Sequence, residues 1–132
     1  MTLEEVLRPV QDDLRAVEEY LTREMHPHEQ FLHEYLDHVA RFRGKRLRPA
    51  LVFLAARAVG KVTEDHLRLA AVAELLHTAT LVHDDILDHA DVRRRHPTTH
   101  RLFGNELTVL LGDYLFARAY ELACMGSSTP PM

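Results

Sequence analysis

The stretch from about Glu64 to about His89 constrains the fold more than any other part of the chain. It reads as a helix with apolar residues almost all the way round, among them Leu67, Leu69, Val72, Leu75, Leu76, Leu81, Val82, Ile86 and Leu87. At 1.5 Å per residue it would be roughly 39 Å long. A helix without a wide polar face must be covered on every side, so it belongs in the middle of a bundle. Thr63 is placed to cap its start.

The covering elements are also helical. Thr2 and Glu5 form a capping box ahead of Leu3, Val6, Leu7, Val10, Leu14, Val17 and Leu21, whose spacing predicts a first helix from about Leu3 to about Arg23. His26 and Pro27 break it, and Phe31, Leu32, Tyr35, Leu36 and Val39 predict a second helix that stops near Gly44. Pro49 suits a first helical position, and the apolar run from Leu51 to Val59, closed by Gly60, predicts a short third helix. After the central helix, Arg93 to Thr99 reads as a basic connection and Asn105 to about Met125 as a last apolar helix interrupted by Gly112. No strand pattern competes, no internal repeat is visible, and residues 126–132 read as a disordered tail. The prediction is one all-α domain over residues 1–132, a helical bundle.

Composition excludes several classes of function. The net charge is −4, which argues against a basic, phosphate-coating nucleic-acid module. With 46% hydrophobic and 27% charged residues the chain is an ordinary globular protein. Cys124 is the only cysteine, so no internal disulfide forms, which fits a reducing compartment. No apolar run is long enough for a membrane span, and the acidic, amphipathic start is unlike a secretory signal, so a cytoplasmic location is expected. Ten histidines make metal or phosphate chemistry worth a search.

That search leads back to the central helix. Its apolar surface suddenly carries His77, His83, Asp84, Asp85, Asp88, His89 and Asp91, and the spacing puts His77, Asp84, Asp88 and Asp91 on one stripe. Carboxylates one turn apart repel each other, so a positive group should sit among them. A solvated acidic helix end would be flanked by Lys and Glu, whereas here the neighbours are Leu and Ile. Oxygen ligands without cysteine favour a hard cation, and Mg²⁺ is commonly held by one or two carboxylates, with water and phosphate oxygens completing its shell. Two cationic clusters supply the complement: Lys45, Arg46 and Arg48 just before a helix N-terminus, where an anion is already favoured, and Arg93-Arg94-Arg95 just after the carboxylates. Together they look like two diphosphate sockets, one bridged by metal and one metal-free. The histidines at 26, 28, 33, 38, 66, 96 and 100 join no ligand spacing and are assigned to surface or packing.

Read in order, Gly44-Lys45-Arg46-Leu47-Arg48-Pro49, the run from Leu76 to Asp88, Asp91-Val92-Arg93-Arg94, Phe103-Gly104-Asn105 and Leu111-Gly112-Asp113-Tyr114-Leu115 resemble the N-terminal part of a trans-isoprenyl (polyprenyl) diphosphate synthase. The resemblance covers nearly the whole chain and implies the N-terminal part of the isoprenoid synthase fold. It implies that Asp84, Asp85 and Asp88 form the first aspartate-rich motif, with Asp84 and Asp88 binding the Mg²⁺ that holds an allylic diphosphate, which Arg93 also touches. It further implies that Gly44, Lys45, Arg48, His77 and Arg94 hold isopentenyl diphosphate. Breaking the allylic C–O bond puts negative charge on the departing diphosphate and positive charge on carbon, so metal ions and Arg93 would favour the transition state over the ground state. The isopentenyl double bond would attack that cation, the departing diphosphate would take the proton, and an apolar helix would keep water out. In this family an aromatic just before the aspartates plugs the tunnel for the growing tail. Ala79 and Thr80 stand there instead, implying medium or long products.

Two departures from the family bear on these expectations. Arg95 occupies a position where the family usually has Gly. Family enzymes are over twice as long and carry a second aspartate-rich motif facing the first, and nothing after Asp113 supplies one. A fragment, a truncated reading frame or a small partner subunit is therefore expected, with an exposed apolar helix face that drives homo-oligomerisation. Two other readings stay open. One is a catalytically inactive or regulatory subunit that retains a diphosphate pocket; the other is an HD-type metal-dependent phosphohydrolase using His83-Asp84.

Overall fold

A computed structural model of the chain describes residues 1–25, 31–40, 44–93 and 95–126. Its elements are α1 (Leu3–Leu7), a 3₁₀ turn (Arg8–Val10), α2 (Gln11–Glu24), α3 (Phe31–Ala40), α4 (Leu47–Val59), α5 (Glu64–Leu87), β1 (Val92–Arg93), β2 (His96–Pro97), α6 (Thr99–Phe103) and α7 (Asn105–Cys124). The all-α class holds, with α5 at the centre and α2, α4 and α7 packed around it. Small residues let the helices approach: Ala70, Ala71 and Ala79 on α5 and Ala119 on α7 are fully buried. Larger side chains fill the space between them, Phe53, Leu75, Val82, Leu115 and Leu122 among them.

The ends of the elements follow local chemistry. Thr2 and Glu5 form the predicted capping box, with the Thr2 N–H donating to Glu5 Oε2 (2.9 Å) and the Glu5 N–H to Thr2 Oγ1 (3.2 Å). The single helix predicted from Leu3 to Arg23 is broken, because Pro9 lacks an N–H and its ring clashes with the carbonyl four residues back. The chain tightens into the 3₁₀ turn there and restarts as α2. The helix predicted to start at Pro49 starts at Leu47, leaving Pro49 in the first turn, where backbone N–H groups have no helical partner anyway. Thr63 caps α5 as expected, but the reciprocal partner is His66, whose Nδ1 accepts the Thr63 N–H at 3.0 Å.

Gly112 does not interrupt the last helix. A β-carbon there would lie 2.0 Å from His83 Nε2, so the glycine is the gap into which the imidazole fits between α5 and α7. That contact offsets the roughly 1 kcal/mol a helical glycine costs. Ion pairs tie helices of the bundle together, Arg57 to Asp13 at 2.8 Å and Arg118 to Glu24, while Arg118 also pairs with Glu121 one turn on in α7.

The basic connection after the central helix has more structure than its sequence suggested. β1 and β2 form an antiparallel ladder pairing Val92 with Pro97 and Arg93 with His96, and α6 follows at once. Strands of two residues are too short to leave a period-two pattern, which is why none was predicted. The segment is pinned by the Thr98 N–H on Asp91 O (2.9 Å), the Thr98 hydroxyl on Ala90 O (2.8 Å) and His38 Nε2 on Pro97 O (2.8 Å). The rings of Tyr35 and Phe103 meet edge-on, 4.4 Å apart. Among the described residues no helix is long and apolar enough to cross a membrane. The tail expected to be disordered lies, from residue 127 on, outside the described residues.

Candidate functional site

A cavity of about 330 Å³ opens where the end of α2, the end of α3, the turn at 44–48 and the middle of α5 meet. Gly44, Lys45, Arg48 and His77 all line it, although His77 lies about thirty residues from the others in sequence. Leu21, Leu36, Leu75 and Leu81 supply apolar wall. The cavity therefore sets the cations of the turn and two carboxylates, Asp37 and Glu74, over an apolar floor, and the unpaired Lys45 and Arg48 suit an anionic group attached to a small hydrocarbon. Lys45 and Arg48 make no ion pair among the described residues. Arg94, also assigned to this socket, lies outside the described residues.

The turn is shaped by the third cation. Arg46, the N-cap residue of α4, takes a left-handed backbone (φ 55, ψ 40), which costs an L-residue about 1–2 kcal/mol. Its guanidinium bonds both oxygens of Glu18 on α2 and, through Nη1, Glu74 Oε2 on α5 at 2.6 Å. Burial works against the charge of Arg46, but its hydrogen bonds to the two carboxylates outweigh that, so its pKa is raised. Sequence reasoning counted Arg46 with its neighbours as socket charge; in the structure it lines the cavity as they do, but its charge is already paired with Glu18 and Glu74.

The carboxylates divide. Asp84 and Asp88 are exposed, one turn apart, and unpaired among the described residues. Asp85, grouped with them in the sequence, is buried at 2% exposure, and its backbone carbonyl accepts the Ala90 N–H at 3.0 Å. The predicted stripe through Asp91 is not continuous, because α5 ends at Leu87, Asp88 is its C-cap residue and Asp91 lies in the loop beyond. Among the described residues no three His, Cys, Asp or Glu gather as a ready-made metal cage. Two exposed carboxylates one turn apart fit a different kind of site, an open one for a hard cation whose remaining ligands are water and phosphate oxygens.

His83 stands beside Asp84 but faces another way. Its Nε2 donates to Val109 O at 3.1 Å and lies 3.7 Å from Asp113 Oδ1, with the ring 5.6 Å from that of Phe116. An imidazole wedged over Gly112 is a packing element, so the HD-type phosphohydrolase reading receives no support. His38, His66 and His100 likewise serve the protein's own backbone and caps. His26 and His28 lie outside the described residues.

Past α5, the backbone of Arg93 lies in β1. Arg95, where the resembled family usually has glycine, adopts φ 66. The turn thus has the left-handed shape glycine takes freely, imposed here on a residue with a β-carbon. Of the two positions assigned to product length, Ala79 is buried in the helix core, whereas Thr80 is exposed with its hydroxyl on the His77 carbonyl at 2.7 Å.

The chain has relatives in sequence and in fold. The family model for polyprenyl synthetase matches residues 29–129. A prenyl transferase of Synechocystis is 44% identical over 114 residues, covering 84% of this chain and 35% of its own length. The octaprenyl diphosphate synthase of Escherichia coli is 36% identical over 122 residues, covering 92% of this chain and 38% of its own length. Among solved structures, a polyprenyl synthase of Caulobacter crescentus, in complex with calcium and isoprenyl diphosphate, superposes with a TM-score of 0.86 at 36% identity, covering 93% of this chain and 38% of that one. The chain therefore spans just over a third of the length of these relatives. With the match running through the turn at 44–48, the aspartates of α5 and the whole of α7, this chain belongs to the polyprenyl synthetase family.

Proposed function

We propose that the chain takes part in the Mg²⁺-dependent condensation of isopentenyl diphosphate with an allylic diphosphate, building medium or long polyprenyl chains. The observation that carries this reading is the cavity that unites Gly44, Lys45 and Arg48 with His77. Its cations would hold the diphosphate of isopentenyl diphosphate without metal, and its apolar wall would take the five-carbon group. Asp84 and Asp88 would hold Mg²⁺, which supplies positive charge against the oxygens of the allylic diphosphate. Arg93, and Arg94 beside it, would add cationic donors to the two diphosphates, and Asp85, being buried, would act by fixing the end of α5. Apolar packing around α5 keeps water from the reacting carbons.

Product length in this reading depends on Thr80 more than on Ala79, since only Thr80 faces outward. The relatives that make eight-unit chains share this part of the fold, which supports a medium or long product. Exposed apolar residues on α7, including Val109, Leu110 and Tyr120, support self-association, and a cytoplasmic setting fits diphosphate substrates.

Incubation with isopentenyl diphosphate, an allylic diphosphate and Mg²⁺ tests the proposal. Extended prenyl diphosphates on chromatography support the transferase. Binding without extension confines the chain to holding substrate, and failure to bind either diphosphate refutes the reading.

A further inference from the structure

The three cations at 45, 46 and 48 are not equivalent. All three line the cavity, but the side chain of Arg46, between the other two, is 16% exposed and bound to Glu18 and Glu74, whereas Lys45 and Arg48 make no ion pair among the described residues. The left-handed backbone of Arg46 does not hold itself, since a β-carbon disfavours it. Its two carboxylate partners come from different helices, α2 and α5, and Glu74 lies one turn before His77 on α5. One set of ionic hydrogen bonds therefore fixes the turn bearing Lys45 and Arg48 against the helix bearing His77. Glu74 also lines the cavity itself, a negative charge where an anion is to bind. Such a charge is hard to reconcile with a purely electrostatic socket and is readily explained by a geometric role.

We propose that Arg46, clamped by Glu18 and Glu74, is a positioning residue that sets the spacing of Lys45, Arg48 and His77 around a metal-free diphosphate. The inference rests on the reading that those three residues hold isopentenyl diphosphate. Positioning and simple electrostatics predict opposite signs for the same substitution. Removing a carboxylate from the cavity wall should tighten anion binding if charge alone matters, and should loosen it if the carboxylate holds the turn in place.

Titration calorimetry of the 132-residue chain with isopentenyl diphosphate in EDTA reads the sign, with circular dichroism and a thermal melt confirming the fold of each variant. Glu74→Gln and Glu18→Gln are each expected to weaken binding by about tenfold. Arg46→Lys, which keeps the charge but cannot fork to two carboxylates, is expected to weaken it comparably. Binding by the folded glutamine variants as tight as that of the parent, or tighter, overturns the proposal. Should Glu74→Gln melt below the measuring temperature, Glu18→Gln at the more exposed partner, which lies off the cavity wall, still tests the clamp by loss of binding, as does Arg46→Lys. Lys45→Ala and Arg48→Ala separate the two levels of inference. Parent-like binding in those variants refutes the site, whereas its loss there with binding intact in Glu74→Gln refutes only the role of Arg46.

Discussion

Among the described residues two arginines hold a left-handed backbone, and they do so under different conditions. Arg46, at φ 55, is largely buried and forked between two carboxylates; Arg95, at φ 66 in the turn between β1 and β2, is exposed and makes no ion pair among the described residues. The strain is similar, but only at Arg46 does the side chain offset it. The difference bears on how the two proposed diphosphate sites would work. The turn at 44–48 is braced by ion pairs within the protein, whereas the region of Asp84, Asp88 and the β1–β2 turn is open and, on the proposed reading, would be completed by a cation and a diphosphate.

Exchange of each arginine for glycine breaks the comparison most directly. Glycine relaxes the backbone in both places, so any difference comes from the side chain. Arg46→Gly leaves the buried Glu74 carboxylate without its ion pair and takes the same partner from the half-buried Glu18, and is expected to cost on the order of 3 kcal/mol, read as a lower midpoint in a denaturant melt. Asp84→Ala and Asp88→Ala test the open region. Each should reduce Mg²⁺-dependent binding of an allylic diphosphate by about a hundredfold while leaving metal-free binding of isopentenyl diphosphate unchanged, as titration calorimetry would show. Gly112→Ala tests whether His83 belongs to packing rather than to the site. The clash with the ring should cost about 2 kcal/mol, and His83→Ala in the same chain should recover part of that loss. The smallest effect is expected at Arg95→Gly, which should stabilise the fold by about 1 kcal/mol and raise the melting temperature, because nothing is lost when its side chain goes.

Much of the candidate site is legible in the sequence, because its charges stand out against an apolar helix. His77, Asp84 and Asp88 share a surface that helical spacing alone predicts, and the cations at 45 and 48 precede a helix start marked by Pro49. What could not be read depends on contacts across the fold. Asp85 looks like its neighbour until the packing of α5 buries it, and Arg46 looks like socket charge until α2 and α5 bring Glu18 and Glu74 to it. Gly112 reads as a helix breaker because its compensation, the His83 ring, comes from a residue 29 positions away. Pro9 is the opposite case, a local signal that was present and outweighed by the apolar periodicity around it. The short strands and α6 carry almost no pattern of their own and are held by capping contacts from Ala90, Asp91 and His38.

The most direct measurement is a paired titration of the intact chain with isopentenyl diphosphate and with geranyl diphosphate, each in the presence of Mg²⁺ and of EDTA. A preformed socket and an open metal site predict that isopentenyl diphosphate binds equally in both conditions, whereas geranyl diphosphate binds only with the metal. Equal dependence of both ligands on Mg²⁺, or indifference of both, would contradict the division of the molecule into those two regions.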